Sequence, residues 1–304
     1  MSYRVLVIGG SYFLGRIFCT LASRSGEFDL TLVNRGRYPM THLPGLREFR
    51  CDRHDPVGLS LLPGEEYDAV VDFCAYAPGD IASLLDSLPG KAKRYILLST
   101  ADVYARSGGA KDEDSPLMAE PGSGAAAEYT WHKRLLEREL AEACVRHGME
   151  TVILRPAFIY GPYNYAPRES WYIEKIVKGK SLPVPSDAAG RFQMVYVKDA
   201  AEAIMECVRQ AAAGDQAFNL AAPEVLDYGR FMETLRAVSD RPFTTRSLTV
   251  EESFREGIPL PFPLTEGESE LYDGEKITRT LGLNYTPFRE GMEKTFIAFR
   301  SVYE

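Results

Sequence analysis

Short apolar runs alternate with stretches of helical length through the first half of the chain. Candidate strands are Arg4–Ile8, Leu30–Asn34, Ala69–Phe73, Tyr95–Ser99 and Thr151–Arg155, with helical patterns such as Leu14–Ser25 and Ile81–Leu88 between them. The strand runs are apolar throughout rather than alternating, as in strands buried on both faces. Strand, helix, strand at this spacing predicts right-handed crossovers and a doubly wound parallel sheet of the α/β class.

Around Gly161 the pattern changes. Prolines 162, 167, 183 and 185 interrupt it, and aromatics gather at 160, 163, 165, 171 and 172. A helix (Asp199–Ala213) and a strand (Gln216–Leu220) then return to the earlier style. From Pro223 onward the chain reads as irregular, with a Pro-rich stretch at 258–263. The expected division is a nucleotide-type domain of residues 1–160 plus 191–222. A smaller, substrate-binding domain is expected from 161–190 plus 223–304. No internal repeat or low-complexity tract is evident.

Composition narrows the class. The 304 residues are 45% apolar and 26% charged, which excludes disordered and collagen-like chains. The five cysteines, at 19, 51, 74, 144 and 207, are scattered and lack CxxC spacing. A disulfide framework or zinc ribbon is therefore not expected, and a reducing cytosol is. The net charge of −8 disfavours nucleic acid and anionic lipid as partners. No run reaches the roughly 18 apolar residues of a membrane span. The N-terminal apolar run, Val5 to Ile8, is stopped by glycines and does not read as a signal peptide. The expected setting is cytoplasmic, with a small-molecule substrate, no metal and a possible homodimer.

Candidate chemistry begins where the first strand runs into Gly9-Gly-Ser-Tyr-Phe-Leu-Gly15. A glycine turn opening a helix offers free backbone N–H groups and the helix dipole to a pyrophosphate. Gly9 suits the tight turn and Gly15 the close helix–strand contact. Tyr12 stands where a further glycine is expected, and an ordinary strand–helix turn is the competing reading. The second strand ends Leu32-Val-Asn-Arg-Gly-Arg37, about 20 residues on. An acid there would bind a ribose 2′-hydroxyl, whereas arginine accommodates a 2′-phosphate. Asn34, Arg35 and Arg37 thus favour NADP over NAD, against the alternative of a solvated basic turn. Asp52 could accept from an adenine amino group or be a plain surface acid.

Downstream, Tyr95-Ile-Leu-Leu-Ser-Thr-Ala-Asp-Val-Tyr104 puts hydroxyls at the carboxyl end of a strand, where open α/β sheets bind ligands. Tyr129 and Lys133 follow in a helical pattern, one turn apart on one face. Leu136 and Leu140 continue that face, and Gly148 is the expected stop. Proton transfer in a hydroxyl–carbonyl hydride reaction needs an acceptor near neutral pH, and free tyrosine titrates near 10. Lowering that to about 7 takes roughly 4 kcal/mol, the order a cation at about 4 Å supplies. Lys133 is the candidate cation, Tyr129 the acid/base and Thr100 the oxygen anchor.

As a set, these motifs resemble the extended short-chain dehydrogenase/reductases of the NAD-dependent epimerase/dehydratase superfamily, in an atypical subgroup. That subgroup includes isoflavone-reductase-like bacterial proteins and plastid RNA-binding relatives. Asp52–Asp55, Leu154–Pro162, Val195–Asp199 and Phe218–Leu220 complete the set in family order. The resemblance implies a Rossmann-type domain and a Thr100–Tyr129–Lys133 site. It implies cofactor contacts from Gly9, Ser11, Tyr12, Phe13 and Leu14, and from Phe73, Cys74 and Ala75. Lys133 would also hold the nicotinamide ribose, and the backbone from Pro156 to Phe158 would touch the nicotinamide amide. Two departures matter. Ala101-Asp102 replaces the Asp-Glu that follows the threonine in sugar dehydratases, so elimination chemistry is expected to be weak. Phe158 stands where some epimerases place a diphosphate-binding Asn, so a nucleotide sugar is not implied.

Other residues carry open alternatives. Asp102 is a substrate contact or a capping acid. Tyr163, among the aromatics, lines a pocket or packs the small domain, and Gln193 with Arg191 contacts substrate or is ordinary surface. Cys74 reads as a buried thiol, and Ser99 as a partner of the backbone. His132 points about 100° away from Lys133, and no histidine pair has metal-ligand spacing. The reading is an NAD(P)-dependent oxidoreductase or epimerase acting on a sugar-like or small ketone substrate. The alternative is a non-catalytic dinucleotide-sensing or RNA-binding relative.

Overall fold

The computed structural model describes residues 2–106 and 108–304. In chain order the first half comprises β1 (Tyr3–Ile8), α1 (Phe13–Ser25), β2 (Phe28–Asn34), β3 (Leu46–Arg50), α2 (Pro56–Ser60), β4 (Glu66–Tyr67), β5 (Ala69–Asp72), α3 (Asp80–Ser87), β6 (Lys91–Ala92), β7 (Arg94–Leu98), α4 (Ala125–His147) and β8 (Glu150–Pro156). The second half comprises β9 (Phe158–Tyr160), α5 (Glu169–Val177), β10 (Leu182–Pro185), β11 (Met194–Tyr196), α6 (Val197–Arg209), β12 (Gln216–Leu220), α7 (Tyr228–Val238), β13 (Thr245–Leu248), α8 (Val250–Arg255), α9 (Glu275–Leu281) and α10 (Phe288–Tyr303).

Among the described residues, seven strands form one parallel sheet in the order β12-β8-β7-β5-β1-β2-β3. The order reverses between β1 and β5, the switch point at which such sheets open a ligand crevice. The apolar strands serve two cores, because successive side chains point to opposite faces. Val5, Val7, Leu30, Leu32, Val71 and Ile96 join Phe18 of α1 and Ile204 of α6. Leu6, Ile8, Val33, Val70, Tyr95 and Leu97 join Ile81 of α3 and Leu136 and Leu140 of α4. Helix α4 buries Thr130, Lys133, Leu136, Glu137 and Leu140, one stripe at three- and four-residue spacing, and Gly148 ends it with φ 66°.

The irregular reading of the chain after Pro223 is corrected by helices α7, α8, α9 and α10. In α10, Phe288, Met292, Phe296 and Phe299 are buried, spaced four, four and three apart. That is a helical stripe, and it packs α10 against α5 and α7. The Pro-rich stretch 258–263 misled the reading because it is confined to the connection before α9, where Phe262 stacks on Phe192 at 4.3 Å. The expected Asp199–Ala213 helix ends at Arg209, because Gln210 turns to extended dihedrals, and a 3₁₀ turn over Ala211–Ala213 follows.

Candidate active site

A cleft of about 450 Å³ opens at the carboxyl ends of β1, β5 and β7. Its floor is the glycine turn. Gly9 and Gly10 have φ of 90° and 65°, conformations that favour glycine. A Cβ on Gly15 would lie 2.3 Å from Gly10 Cα, so the start of α1 packs directly on the turn. Helix α1 has no side-chain cap at its N-terminus and no acid in its first turn. Its leading N–H groups are therefore free for an anion, and the cradle fits a dinucleotide pyrophosphate. Tyr12 needs no glycine's freedom, because its backbone is extended (φ −138°), and its ring stacks between Tyr38 (5.0 Å) and Tyr165 (5.7 Å).

At the end of β2, Asn34 is buried. Its amide donates to Glu48 Oε1 at 2.7 Å and its Oδ1 accepts from Gly36 N. Arg35 and Arg37 are exposed, with Arg37 over the Tyr38 ring at 5.4 Å. A third cation, Arg50, lies against Gly36, where a Cβ would come within 2.8 Å of its Nε. Arg50 and Glu48 were missed in the sequence; their place at the end of the neighbouring parallel strand was the available signal. Asp52 accepts from His54 N at 3.0 Å, and that bond holds its carboxyl below the usual range.

Thr100, Asp102, Tyr129 and Lys133 all line the cleft, together with Ser11, Phe13, Leu14, Phe73, Cys74, Pro156 and Phe158. Ala75 is fully buried. The Lys133 ammonium donates to the carbonyls of Ala75 (2.8 Å) and Leu98 (2.7 Å), which tie α4 to the ends of β5 and β7. Burial pulls its pKa down to about 8, opposed chiefly by the charge of Asp72. The phenol of Tyr129 is pushed above its ordinary value, first by burial and then by Tyr76, Tyr165 and Asp102. The expectation that Lys133 draws this phenol toward neutrality is therefore not met in the protein alone: the ammonium bonds to carbonyls, and desolvation of the phenolate dominates. The thiol of Cys74 is pushed up to about 12 by burial, with Asp72 adding to the effect.

Beneath Thr100 runs a buried polar chain. Ser99 donates to Glu137 Oε1 at 2.6 Å, and Arg155 donates to both Glu137 oxygens at 3.0 and 2.8 Å. Arg155 also reaches Tyr104 Oη, which donates to Asn219 Oδ1 at 2.7 Å. The Ser99 hydroxyl thus bonds to a side-chain carboxylate, not to the backbone as expected, because α4 presents Glu137 one turn below Lys133.

The far side of the cleft is charged. The Thr100 hydroxyl donates to Asp102 Oδ2 at 3.0 Å. Arg168 lines the cleft and sits 4.4 Å over the Phe158 ring. Glu270, which the sequence did not single out, is pushed up to about 8 by burial and then by Asp102, with Arg168, Arg106 and Lys111 pulling the other way. No spacing rule links residues 102 and 270, so only the fold brings them together. Gln193 is buried, donating to Ala222 O and accepting from Tyr272 N. Tyr163 is half exposed, under the Arg16 guanidinium at 5.2 Å. Among the described residues, no group of three or more His, Cys, Asp or Glu side chains is placed to hold a metal. No helix among them is long and apolar enough to cross a membrane.

A doubly wound sheet with a glycine turn at its switch point and a helix-borne tyrosine and lysine resembles the architecture of the extended short-chain dehydrogenase/reductases. Residues 81–221 match the model of the NAD dependent epimerase/dehydratase family. It is 27% identical over 239 residues to a chloroplast stem-loop binding protein of 41 kDa from Arabidopsis thaliana; the match covers 74% of this chain and 60% of that protein. It is 26% identical to a dTDP-glucose 4,6-dehydratase from Streptomyces niveus, over 79% of this chain and 82% of that one. In fold it is similar to the UDP-N-acetylglucosamine 4-epimerase of Methanobrevibacter ruminantium, with a TM-score of 0.80 at 18% identity over 99% of both chains.

Proposed function

We propose that the protein is an NADP(H)-dependent oxidoreductase or epimerase acting at a hydroxyl-bearing or carbonyl carbon of a sugar-like or small ketone substrate. The observation that carries this reading is the meeting of Thr100, Tyr129 and Lys133 with the glycine turn in one cleft. The start of α1 would hold the pyrophosphate, and Arg35, Arg37 and Arg50 a 2′-phosphate. When bound, the nicotinamide supplies or accepts the hydride. Thr100 holds the substrate oxygen, and Tyr129 moves its proton. Lys133 orients the ribose and adds positive charge beside the phenol. The segments 161–190 and 223–304 would form the substrate side, with Arg168 and Asp102 lining the cleft and Glu270 interacting electrostatically with Asp102. Because Asp102 is engaged by Thr100 and Ala101 offers no acid, redox or epimerisation chemistry is favoured over elimination. Support comes from the family match and from relatives named as epimerases, dehydratases and reductases.

The test is mass spectrometry of ligands that co-purify with the protein, followed by nicotinamide absorbance assays on carbonyl compounds of the class found. Reduction or isotope exchange that depends on Tyr129 is expected. Absence of any nicotinamide ligand, with no dinucleotide binding by calorimetry, would overturn the reading.

One observation favours a second reading, a binding protein for RNA. The similar Arabidopsis protein is named for stem-loop binding, and Tyr12, Tyr38 and Tyr165 form an exposed stack with Arg37 beside it. The net charge of −8 opposes it. A gel shift with stem-loop RNA at low salt separates the two.

A further inference from the structure

Below the cleft lies a charged pair that the proposed chemistry leaves unused. Asp72, the last residue of β5, is completely buried. An isolated carboxylate there would be very costly, so its partners deserve a full account. Arg53 Nη1 donates to both its oxygens, at 2.9 and 2.8 Å. Tyr95 Oη donates to Oδ2, and Cys74 N donates to Oδ1 at 2.8 Å. The other arm of the same guanidinium, Nη2, donates to Asp80 O at 2.8 Å. Asp80 in turn accepts from Tyr76 N (2.8 Å) and Ala77 N (3.0 Å), and His54 Nε2 lies 2.9 Å from its other oxygen. One arginine, arriving from the segment after β3, therefore clamps both ends of residues 72–80.

That segment is the wall against which Lys133 rests. Its Ala75 carbonyl takes one of the two ammonium hydrogen bonds, and its Phe73, Cys74 and Tyr76 line the cleft. We propose that the Arg53–Asp72 pair is a positioning device for Lys133: it fixes the 72–80 segment whose Ala75 carbonyl accepts from the ammonium, and its carboxylate is the buried negative group facing that ammonium. This assignment rests on reading Lys133 as the lysine of the active site.

The charge argument has a definite sign. Lys133 is buried, and burial favours its neutral form. The groups facing it are Asp72, Cys74 and Asp80 from β5 and the following segment, Arg53 from beyond β3, and the rings of Tyr76 (5.0 Å) and Tyr129 (5.8 Å). Among the charges, Asp72 opposes burial most, and Arg53 works against it. Removing the Asp72 charge must therefore lower the Lys133 midpoint, whereas a residue that merely fills space would not move it.

The test uses the full chain labelled with 13Cε-lysine. The Lys133 resonance is assigned by its loss in Lys133→Met and titrated by NMR without cofactor or substrate. Asp72→Asn, which keeps the shape and removes the charge, is expected to lower the midpoint by about one pH unit. It leaves the Arg53 charge unpaired, so the Arg53→Met/Asp72→Asn double variant is titrated beside it, with a smaller drop expected. If only the double variant folds, it is read in the same way. An unchanged or raised midpoint in the folded variant overturns the proposal. The measurement needs no turnover: if Tyr129→Phe kept full activity, the catalytic reading would fall while this titration still reported what the pair does to Lys133.

Discussion

The Lys133 ammonium lies 5.8 Å from the centre of the Tyr129 ring, while its hydrogen bonds go to the carbonyls of Ala75 and Leu98. The two side chains share the cleft but are held by different parts of it. Lys133 is anchored to the sheet, and Tyr129 remains 41% exposed at the mouth. Division of labour follows from this. Tyr129→Phe removes the one hydroxyl assigned to proton transfer and nothing that holds the fold. Turnover is expected to fall by about 10²–10⁴-fold with dinucleotide affinity retained. Lys133→Met, by contrast, is expected to reduce both. Steady-state kinetics beside calorimetric titration checks the split, and residual hydride transfer near the wild-type rate in Tyr129→Phe would remove the phenol from the mechanism.

Three arginines surround the turn after β2, and the residue at the strand end, Asn34, is committed to Glu48 and Gly36. A 2′-phosphate would find charged donors there, whereas a 2′-hydroxyl would find no free carboxylate at position 34. NADPH is expected to bind at least about tenfold more tightly than NADH, one good charge-assisted contact being of that order. Arg35→Ala with Arg37→Ala should erase most of the difference. Calorimetry decides this, and equal affinities in the wild type would return these arginines to the surface.

How much of this was legible in the sequence depended on whether a feature was local. The strands, α1 and the Tyr129–Lys133 face are written in short-range periodicity, and the glycine turn in the need for positive φ. Helix α10 was equally periodic, with Phe288, Met292, Phe296 and Phe299 in register, but the prolines before it drew attention away. Arg50 and Glu48 reach the turn after β2 only through the parallel pairing of β3 with β2, and Glu270 comes near Asp102 only through the return of the C-terminal segment, which no local spacing announces. The acceptors of Lys133 are main-chain carbonyls, which no residue type announces.

The Glu137–Arg155 pair tests the polar support beneath Thr100. Both side chains are buried, and both carboxylate oxygens accept from the guanidinium. Arg155→Met would strand the Glu137 charge with Ser99 as its remaining side-chain donor. Such a loss typically costs about 3–5 kcal/mol. Urea unfolding should show a loss of this order in Arg155→Met, partly recovered in the double variant with Glu137→Gln. A loss below about 1 kcal/mol would mean that water or another cation reaches Glu137.

Glu270 gives a stability test whose sign is opposite to that of an ordinary ion-paired carboxylate. Burial, followed by the nearby Asp102, raises it from an ordinary 4.5 to about 8. Between those values the folded chain holds a proton that the unfolded chain has released, so stability falls as pH rises through the window. The full penalty is present once pH exceeds the folded value, and none below the unfolded one. Glu270→Gln removes this titration and keeps a similar shape. The variant is therefore expected to match the wild type near pH 4.5 and to exceed it in melting temperature above about pH 8, with the gap opening across the interval. Arg168, Arg106 and Lys111 pull Glu270 toward the ionised form, so Arg168→Met should widen the wild-type fall at high pH. Melting curves across the interval settle the matter. A constant difference between Glu270→Gln and wild type at every pH would show that Glu270 ionises normally and that its carboxylate is not desolvated beside Asp102.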